Sequence, residues 1–440
     1  MKHLTIRRNG MAPTLISRRG MLQSSALTGA AIGFPSIIPA SVLGANAPSN
    51  RITIGGLGTG RMGMGNLRGF LNAPGTQLVA VCDVDARHRG NAKRLIDQTY
   101  GNQDCASYND YRELLARRDI DAVFHALPDH WHGIICVAAA NAGMDIYGQK
   151  PLSRTIPEGR AIVDAVERNG VIWQTGSQQR SDGRFRMACE LVRNGRIGKI
   201  IRAESGLPGG GGGGRAAPIA VPDGLDWDMW LGPAPDQPCR DFGHGDGGPH
   251  WNWRWVRDFS GGQITDWSGH NIDIAHWGLG LDETGPVEIS GTGSYSDNNF
   301  FNVITNFTFD LRYAGGEHIC VSNTFPVGVR FVGEEGWILV TRTKIEASDP
   351  SILKDTIPSS GVRLYESRDH HHNFLDGVRT RKPCVCTAEI GHRSISAGLL
   401  GEVAIYTGRT IHWDPVKEKI LGDPGASALL TRAYREPWTL

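Results

Sequence analysis

Residues 51–63 read RITIGGLGTGRMG, and this stretch determines the fold expected for the first half of the chain. Its first seven residues have the composition of a short buried β-strand, and the next six follow the pattern G-x-G-x-x-G. The pattern is typical of folds that bind dinucleotides, in which Gly58 permits a tight turn and Gly60 lets a pyrophosphate approach the backbone. Gly63 then allows the following helix to pack on the strand, with the helix N-terminus facing the phosphates.

A second predicted strand strengthens this interpretation. Residues 78–82 are apolar and end in Asp83, 20 residues after Gly63, where such folds place a carboxylate that binds the ribose hydroxyls. A carboxylate there also repels a 2′-phosphate, so we expect NAD rather than NADP. Arg87 follows nearby and leaves NADP as the alternative cofactor. The alternative role for Asp83 itself is that of a turn or helix-capping residue.

Strands and helices continue to alternate along the chain. Helices are predicted at 111–117, 134–142 and 157–169, and strands at 122–126, 145–147 and 171–175. This alternation predicts an α/β Rossmann domain with a doubly wound parallel sheet, whose ligands bind at the carboxyl ends of the strands. Two loops at those ends, residues 127–132 and 148–152, carry polar side chains suited to chemistry.

The composition limits the classes of protein to which the chain can belong. It has 440 residues, of which 40% are hydrophobic, and it carries 46 Lys and Arg against 45 Asp and Glu. A net charge of +1 argues against a nucleic-acid-binding protein, because phosphate binding requires a basic excess. The 58 glycines have no collagen-like period, so we expect them in turns and at close backbone approaches.

The first fifty residues differ in character from the rest. Residues 1–47 hold five basic residues and no acidic one, so their removal changes the net charge from +1 to −4. The stretch SRRGMLQ at 17–23, followed by a mild apolar segment at 26–43, resembles a twin-arginine export signal. That segment is too short and too interrupted by glycine and proline to span a membrane. Residues 45–47, Ala-Asn-Ala, provide an option for cleavage.

We therefore predict export to the periplasm through the twin-arginine pathway, with residues 1–47 as the signal peptide. The alternatives are a disordered basic N-terminus and an uncleaved anchor. Because this pathway carries folded proteins, it also favours a cofactor that is bound before export and stays bound.

The combined motifs resemble those of the Gfo/Idh/MocA family of dehydrogenases, named for glucose-fructose oxidoreductase and inositol dehydrogenase. The resemblance extends over about residues 50–440. It rests on the glycine turn and on CDVD at 82–85, PDHWH at 128–132, KPL at 150–152, GSQQRS at 176–181 and D-x-x-x-H-x-x-D at 266–273. One departure is Gln149, because the family usually has Glu before the Lys-Pro pair.

The resemblance implies two domains after the export signal: an NAD(P)-binding Rossmann domain at 48–177 and a C-terminal α+β domain at 178–440. The second domain would carry the substrate on a large, open, mostly antiparallel sheet. Strand-like composition at 302–311, 318–323, 329–332 and 337–340 agrees with such a sheet. Since this sheet often forms an oligomer interface in the family, we expect a homo-oligomer, either a dimer or a tetramer.

The candidate catalytic residues come from both domains. In the family, positions that match Lys150, Asp266 and His270 surround the reacting carbon, and the resemblance implies the same roles here. A histidine can accept the proton of a substrate hydroxyl near neutral pH, and Lys150 would hydrogen-bond the same oxygen. Asp266 would orient His270 or hold a neighbouring hydroxyl. The sequence leaves open whether His270 or Lys150 is the base.

The spacing around this motif predicts one functional face on a helix. Positions i, i+4, i+7 and i+11 of that face are Asp266, His270, Asp273 and Trp277. One alternative is a capping or surface cluster. Another is a metal site, because Asp266, His270, Asp273 and His276 are all ligand types. We predict no metal.

Further residues are assigned to the two ligands. The predicted cofactor-binding residues are Gly58, Gly60, Arg61, Met62, Gly63, Asp83, Arg87, Leu127, Pro128, His130, His132, Lys150 and Gln178. The predicted substrate residues are Trp131, Arg180, His250, Asp273 and Trp277. Residues 227–277 are rich in tryptophan, whose flat faces suit sugar rings, although most are expected to pack in the core. The glycine run at 209–214 predicts a flexible loop, with a lid near the site as a hypothesis.

These features predict an NAD(P)-dependent oxidoreductase acting on a secondary hydroxyl of a sugar, polyol or glycoside. Outside the cytoplasm free NAD is not supplied, so the cofactor should be tightly held and recycled within the enzyme. The first alternative is a redox-neutral, NAD-dependent glycoside hydrolase. There C3 is oxidised, the glycosidic bond is lost by elimination, water adds, and C3 is reduced again. The second is a non-catalytic periplasmic sugar-binding protein on a degenerate dehydrogenase fold, which only Gln149 supports.

Overall fold

The structure, a computed structural model, describes residues 51–211, 216–242, 249–295 and 300–440. The predicted export signal at 1–47 and part of the glycine run at 209–214 lie outside the described residues. Among the helices of the described ranges, none combines the length and the apolar character needed to cross a bilayer.

The first half of the described chain forms a six-stranded sheet. Its strands are β1 (Ile52–Leu57), β2 (Thr76–Cys82), β3 (Ala106–Tyr108), β4 (Ala122–His125), β5 (Asp145–Gly148) and β6 (Trp173–Thr175). They lie in the order β3-β2-β1-β4-β5-β6, and all neighbours pair in parallel. The accompanying helices are α1 (Arg61–Leu71), α2 (Ala86–Tyr100), α3 (Tyr111–Leu115), α4 (His132–Asn141) and α5 (Ile156–Asn169). The predicted doubly wound parallel sheet is confirmed.

Local sequence explains where these elements begin and what they bury. Helix α1 starts directly after Gly60 and buries Leu67 and Phe70. Helix α5 starts with a capping box, in which the side chains of Thr155 and Glu158 each accept a hydrogen bond from the other's backbone N–H. Every residue of β4 and β5 is buried, as expected for parallel strands covered on both faces.

The second half forms a nine-stranded, mostly antiparallel sheet. Its strands are β7 (Ile200–Gly206), β8 (Glu288–Ser294), β9 (Asn306–Arg312), β10 (His318–Ser322), β11 (Gly328–Gly333), β12 (Gly336–Val340), β13 (Ile345–Ala347), β14 (Ile411–Asp414) and β15 (Lys419–Ile420). The order is β13-β12-β11-β7-β10-β9-β8-β14-β15. Strands β7 and β10 pair in parallel, and the other neighbours pair antiparallel. The predicted α+β architecture is therefore also confirmed.

Helices connect and cover the second sheet. They are α6 (Gly183–Arg193), α7 (Trp227–Leu231), α8 (Gly262–Trp267), α9 (Asp273–Leu279), α10 (His370–Thr380), α11 (Ala388–Thr407) and α12 (Pro424–Ser427). Helix α11 contacts both α5 of the first half and strands β8 and β9 of the second sheet. Because of this position, one hydrophobic core runs through both halves of the described chain.

Helices α8 and α9 are joined by a turn of π-helix over Ser268–Ile272. A π-helix closes its hydrogen bonds from i to i+5, so its turn is wider than that of an α-helix. The continuous α-helix predicted from residue spacing is therefore interrupted at its functional segment.

Candidate active site

A cleft of about 1510 Å³ runs along the carboxyl ends of the parallel strands. Predicted site residues that line it are Gly58, Gly60, Arg61, Met62, Asp83, Leu127, Pro128, Trp131, Lys150, Gln178, His250, Asp266 and His270. Strand β4 separates β1 from β5, and neighbouring strands are ~4.8 Å apart, so the loops after β1 and β5 lie roughly 10 Å apart. The cleft thus connects the glycine turn after β1 with Lys150 after β5.

The glycine turn has the shape that a pyrophosphate requires. Gly58 has a φ of 79°, and a Cβ on it would lie 2.6 Å from the carbonyl oxygen of Ala126. A Cβ on Gly63 would lie 2.0 Å from the oxygen of Gly58, which explains the glycine that packs helix on strand. A Cβ on Gly60 would meet only His88, at 3.8 Å, so this face of the turn is open at the N-terminus of α1.

Asp83 is fixed beside the glycine turn at the end of β2. Its Oδ2 accepts a hydrogen bond from the Thr59 N–H at 2.6 Å, and its Oδ1 accepts one from the Asp85 N–H at 2.9 Å. Arg87 is exposed on the first turn of α2 and is not among the residues that line the cleft. These positions fit a ribose with free hydroxyls, and they give the alternative cofactor NADP no support from Arg87.

His250 lies at this same part of the cleft. Its Nε2 is 2.9 Å from Oδ2 of Asp85, and its ring centroid is 4.5 Å from that of His88. Because Asp85 is two residues beyond Asp83, these contacts put His250 near Asp83. His250 lines the cleft, and its contact with substrate stays a prediction.

Lys150 and Asp266 form an ion pair farther along the cleft. Lys150 Nζ donates to Oδ1 of Asp266 at 2.5 Å, and each half of the chain contributes one partner. Burial opposes the ionisation of Asp266, but Lys150 and Arg254 together lower its pKa to about 2. Asp266 therefore remains ionised at neutral pH. A Cβ on Gly269 would lie 2.8 Å from Cβ of Lys150, so the π-helical backbone closely approaches the lysine.

His270 lies in the π-helical turn and also lines the cleft. Its ring meets that of Trp267 edge to face, with centroids 5.3 Å apart. Its Nδ1 is buried without a hydrogen-bond partner in the described chain, so Nε2 is the nitrogen available to a ligand. Burial, with the positive charges of Lys150 and Arg342, lowers the pKa of His270 well below 6.5. The expectation of a pKa near neutrality is thus corrected: the ring is neutral at pH 7 and can accept a hydrogen bond or a proton.

The loop GSQQRS at 176–181 holds the π-helical turn in place. Ser177 Oγ donates to the carbonyl oxygen of Gly269 at 2.7 Å, and Gln179 Nε2 donates to that of His270 at 3.3 Å. Gln178 lines the cleft, as predicted for a ligand-binding residue. This loop therefore positions His270 from the side of the six-stranded sheet.

Gln149, the departure from the family pattern, points toward helix α1. Its Nε2 donates to Oδ1 of Asn66 at 3.3 Å, and a Cβ on Gly176 would lie 2.9 Å from its Oε1. The amide fills space between two loops, and the ion pair of Lys150 forms without a carboxylate at position 149.

Two predicted cofactor residues, His130 and His132, lie behind the cleft wall. His130 Nε2 is 3.1 Å from the carbonyl oxygen of Trp230, and burial lowers the pKa of His130 to about 3. His132 has Nδ1 2.7 Å from the oxygen of Pro151 and Nε2 3.0 Å from that of Leu127. These contacts correct the prediction of direct cofactor contact. His132 instead connects the loops that follow β4 and β5.

Most of the predicted substrate residues lie in the interior. Arg180 is 1% exposed, and its Nε is 2.7 Å from Oδ2 of Asp273. Its guanidinium also lies 5.1 Å from the ring centroid of Trp277. Trp131 borders the cleft, but its indole is buried and donates to the oxygen of Trp230 at 3.1 Å. The predictions for Asp273 and Trp277 fail because the π-helical turn rotates α9, so these residues leave the catalytic face.

The metal alternative is not supported by the positions of its ligands. Asp273 is bonded to Arg180, and His276 Nε2 is 2.6 Å from the hydroxyl of Tyr313 in the interior. Within the described ranges, a different group brings metal-ligand atoms within 4.8 Å of one another: Asp85, His88 and His250.

Sequence reasoning missed several residues of the cleft, among them Arg254, Gln263 and Arg342. Trp251, Trp253 and Trp255 also line it and belong to the tryptophan-rich segment, of which a minority is expected to contact substrate. Arg254 lies 4.3 Å from the ring centroid of Trp251, and Arg342 lies 4.6 Å from that of Trp267. The only signal in the sequence is the alternation of tryptophan and arginine at 251–255. No motif marks Arg342, which comes from the turn between β12 and β13.

The fold and the site define a Rossmann-type dehydrogenase. Comparison with known families agrees: residues 52–177 match the NAD-binding Rossmann fold of the oxidoreductase family, and residues 211–440 match its C-terminal alpha/beta domain. The chain therefore belongs to the Gfo/Idh/MocA oxidoreductase family. It is an NAD-dependent oxidoreductase with an NAD-binding Rossmann domain.

Individual relatives resemble the chain over different lengths. It is 26% identical over 378 residues to scyllo-inositol 2-dehydrogenase (NAD(+)) of Bacillus subtilis, covering 81% of this chain and 95% of that protein. It is 28% identical over 209 residues to a glycosyl hydrolase family 109 protein of Shewanella, covering 43% of this chain and 45% of that protein. The crystal structure of myo-inositol 2-dehydrogenase from Lactobacillus plantarum superposes with a TM-score of 0.58 at 20% identity. The match covers 82% of this chain and 99% of that structure.

Proposed function

We propose that the protein oxidises a secondary hydroxyl of a sugar, polyol or glycoside, with Lys150, Asp266 and His270 at the reacting carbon. The observation that carries this proposal is the Lys150–Asp266 ion pair beside a neutral His270, in a cleft that begins at a dinucleotide turn. The similarity to inositol dehydrogenases supports a cyclic polyhydroxylated substrate.

Each of the three side chains has a definite task in this reaction. NAD, when bound, supplies the acceptor of the substrate's hydride. Nε2 of His270 accepts the hydroxyl proton, because the neutral ring carries a lone pair on the nitrogen available to a ligand. Nζ of Lys150 donates a hydrogen bond to the same oxygen and stabilises the developing negative charge. Asp266 keeps that ammonium directed at the site.

The assignment of these residues is tested by the variants Lys150→Met and His270→Ala. We expect either change to lower kcat by about a hundredfold or more, with NAD still bound, because each removes one proton-transfer or charge-stabilising group. The matched controls are Lys344→Met and His412→Ala, which alter exposed residues outside the cleft. Equal turnover of all four variants on every accepted substrate would remove the catalytic assignment.

We further propose that the protein is exported and keeps its NAD bound between turnovers. The twin-arginine-like stretch at 17–23 supports export, and a cofactor without external supply must be recycled by a second half-reaction. The purified protein should retain NAD through extensive dialysis, and Arg18→Lys with Arg19→Lys should keep it in the cytoplasm. Loss of NAD on dialysis contradicts retention, and unchanged export of the variant contradicts the twin-arginine route.

A second candidate function is redox-neutral glycoside hydrolysis, which the similarity to glycosyl hydrolase family 109 proteins favours. In that case oxidation at C3 is transient and the sugar is reduced again after the glycosidic bond is lost. Release of free sugar from a glycoside without net formation of NADH selects this function. Stoichiometric oxidised sugar selects the dehydrogenase.

We also propose a homo-oligomer that forms through the nine-stranded sheet. Support comes from exposed apolar side chains on this sheet. Ile201 on β7 is 52% exposed, and Val327, which directly precedes β11, is 42% exposed. Light scattering should give the mass of a dimer or tetramer, and Ile201→Lys should shift it toward the monomer. A monomeric mass for the wild-type protein contradicts the proposal.

A further inference from the structure

The reacting part of the cleft carries more positive than negative side chains. The positive side chains are Lys150, Arg254 and Arg342. The carboxyl groups are Asp266, which pairs with Lys150, and the buried Asp129, which accepts a hydrogen bond from Ser260. Neither arginine forms an ion pair with a carboxylate of the described residues. An uncompensated guanidinium beside a binding site favours an anionic ligand, because charge-assisted hydrogen bonds are stronger than neutral ones.

Two contacts hold Arg342 near the proposed catalytic residues. Its Nε donates to Oε1 of Gln179 at 3.1 Å, and its guanidinium lies 4.6 Å from the ring centroid of Trp267. The same Trp267 ring contacts His270, with centroids 5.3 Å apart. Arg342 is therefore one aromatic ring away from His270, and its charge contributes to lowering the pKa of that histidine.

Arg342 is an exposed residue among those that line the cleft, and its terminal nitrogens are available to a ligand. Nε is used by Gln179, whereas Nη1 and Nη2 have no hydrogen-bond partner in the part of the chain that the structure describes. The contact with the Trp267 ring restricts the position of the guanidinium beside the cleft. A planar fork held in this way matches the two oxygens of a carboxylate.

Arg254 has a different setting. It lies 4.3 Å from the ring centroid of Trp251, and Arg61 of the glycine turn lies 4.8 Å from the same ring. Its charge helps to lower the pKa of Asp266. Arg254 therefore lies on the cofactor side of the reacting centre, and Arg342 is the arginine on the substrate side.

From this geometry we propose that the substrate carries a carboxylate bound by Arg342, so that the substrate class is a uronic acid or a glycoside of one. The inference rests on the proposed sugar oxidation. With a neutral sugar the exposed Arg342 guanidinium would have no anionic partner. With a uronate it forms a bidentate pair while the ring lies between Trp267 and the Lys150–Asp266 pair. Sulfate and phosphate esters offer the same charge, but they are not planar.

The test compares matched sugars that differ only at C6: glucose with glucuronate and galactose with galacturonate, together with glucose 6-sulfate and glucose 6-phosphate. For the wild-type holoenzyme we expect kcat/KM to be about tenfold to a hundredfold higher for the uronate of each pair, the range of one charged hydrogen-bonded contact. Arg342→Gln should abolish this preference mainly through KM. Arg342→Lys should retain part of it.

A control on the same hairpin is Lys344→Gln, because Lys344 is exposed and pairs with Glu346. This variant should keep the preference for uronates. If the wild type oxidises neutral sugars as well as uronates, the inference fails while the proposed function stands. Preference for the sulfate or phosphate ester overturns the carboxylate assignment. If no sugar of either kind is oxidised, the proposed function fails as well.

Discussion

At the scale of single residues, the proposed function depends on the Lys150–Asp266 ion pair and on the neutral imidazole of His270. The resemblance to the family predicted Lys150, Asp266 and His270 as site residues, and all three line the cleft. The motifs of the sequence could not predict Arg342, which a strand hairpin brings to the cleft from a distant part of the sequence. Nor could they predict that Arg180 forms a buried ion pair with Asp273 and therefore does not reach the cleft.

The lowered pKa of His270 predicts an unusual pH dependence. Oxidation needs the unprotonated ring, so activity is lost as the pH falls through the pKa of His270, which lies well below 6.5. The acid limb of kcat/KM against pH should therefore fall below pH 6.5. Arg342→Gln removes one of the charges that lower this pKa. With a neutral substrate, the acid limb of this variant should therefore lie at a higher pH than that of the wild type. A wild-type limb at or above pH 6.5 would contradict the account.

At the scale of secondary structure, the π-helical turn over Ser268–Ile272 determines which side chains reach the cleft. Residue spacing alone predicts an uninterrupted α-helix, since i, i+4 and i+7 fit that geometry equally well. Helix α2 (Ala86–Tyr100) is not among the helices predicted from the sequence, for another reason. It buries only Ala92 and Ile96, so its sequence lacks a clear apolar face.

The close approach of the π-helical turn to Lys150 can be tested with a single methyl group. In Gly269→Ala the added Cβ would lie 2.8 Å from Cβ of Lys150, so the lysine must shift. We expect kcat to fall by about a hundredfold, the scale of effect that a misplacement of ~1 Å produces, with NAD binding preserved.

The matched control is Gly65→Ala, at an exposed position of α1 where an added Cβ meets nothing within 4 Å. That change should leave kcat unaltered and stabilise the protein by about 0.5–1 kcal/mol, since alanine is the better helix former. Equal kcat values for both alanine variants would show that the contact between Gly269 and Lys150 is unimportant.

At the scale of the whole molecule, the two sheets were predictable from the sequence, whereas the burial of polar side chains in the core was not. Alternating strands and helices predicted the parallel sheet, and strand-like composition predicted four strands of the second sheet. The burial of several uncharged histidines could not be predicted, because it depends on packing between segments that are distant in sequence, such as His130 with Trp230 and His276 with Tyr313. Burial lowers the pKa of His130 to about 3 and those of His276 and His370 to about 4.

Buried neutral histidines make folding sensitive to acid. The folded protein binds fewer protons than the unfolded chain below pH 6.5, so their contribution to stability is complete above that pH and is lost as the pH falls. At pH 5 the free energy of unfolding should be lower than at pH 7 by about 2 kcal/mol for each such histidine. Urea unfolding at the two pH values measures the difference, and His276→Gln should reduce it by one histidine's share. Equal stability at both pH values would contradict this prediction.

The central claim, that bound NAD oxidises a sugar-like hydroxyl through His270, is tested most directly by following the near-ultraviolet absorbance of reduced nicotinamide in the purified holoenzyme. When sugars, polyols and glycosides are added in excess, the wild type should show a rise of up to one reduced cofactor per chain. His270→Ala with the same NAD content should show none on this time scale. A holoenzyme whose absorbance changes with no member of the panel, or an equally fast rise in His270→Ala, would contradict the account.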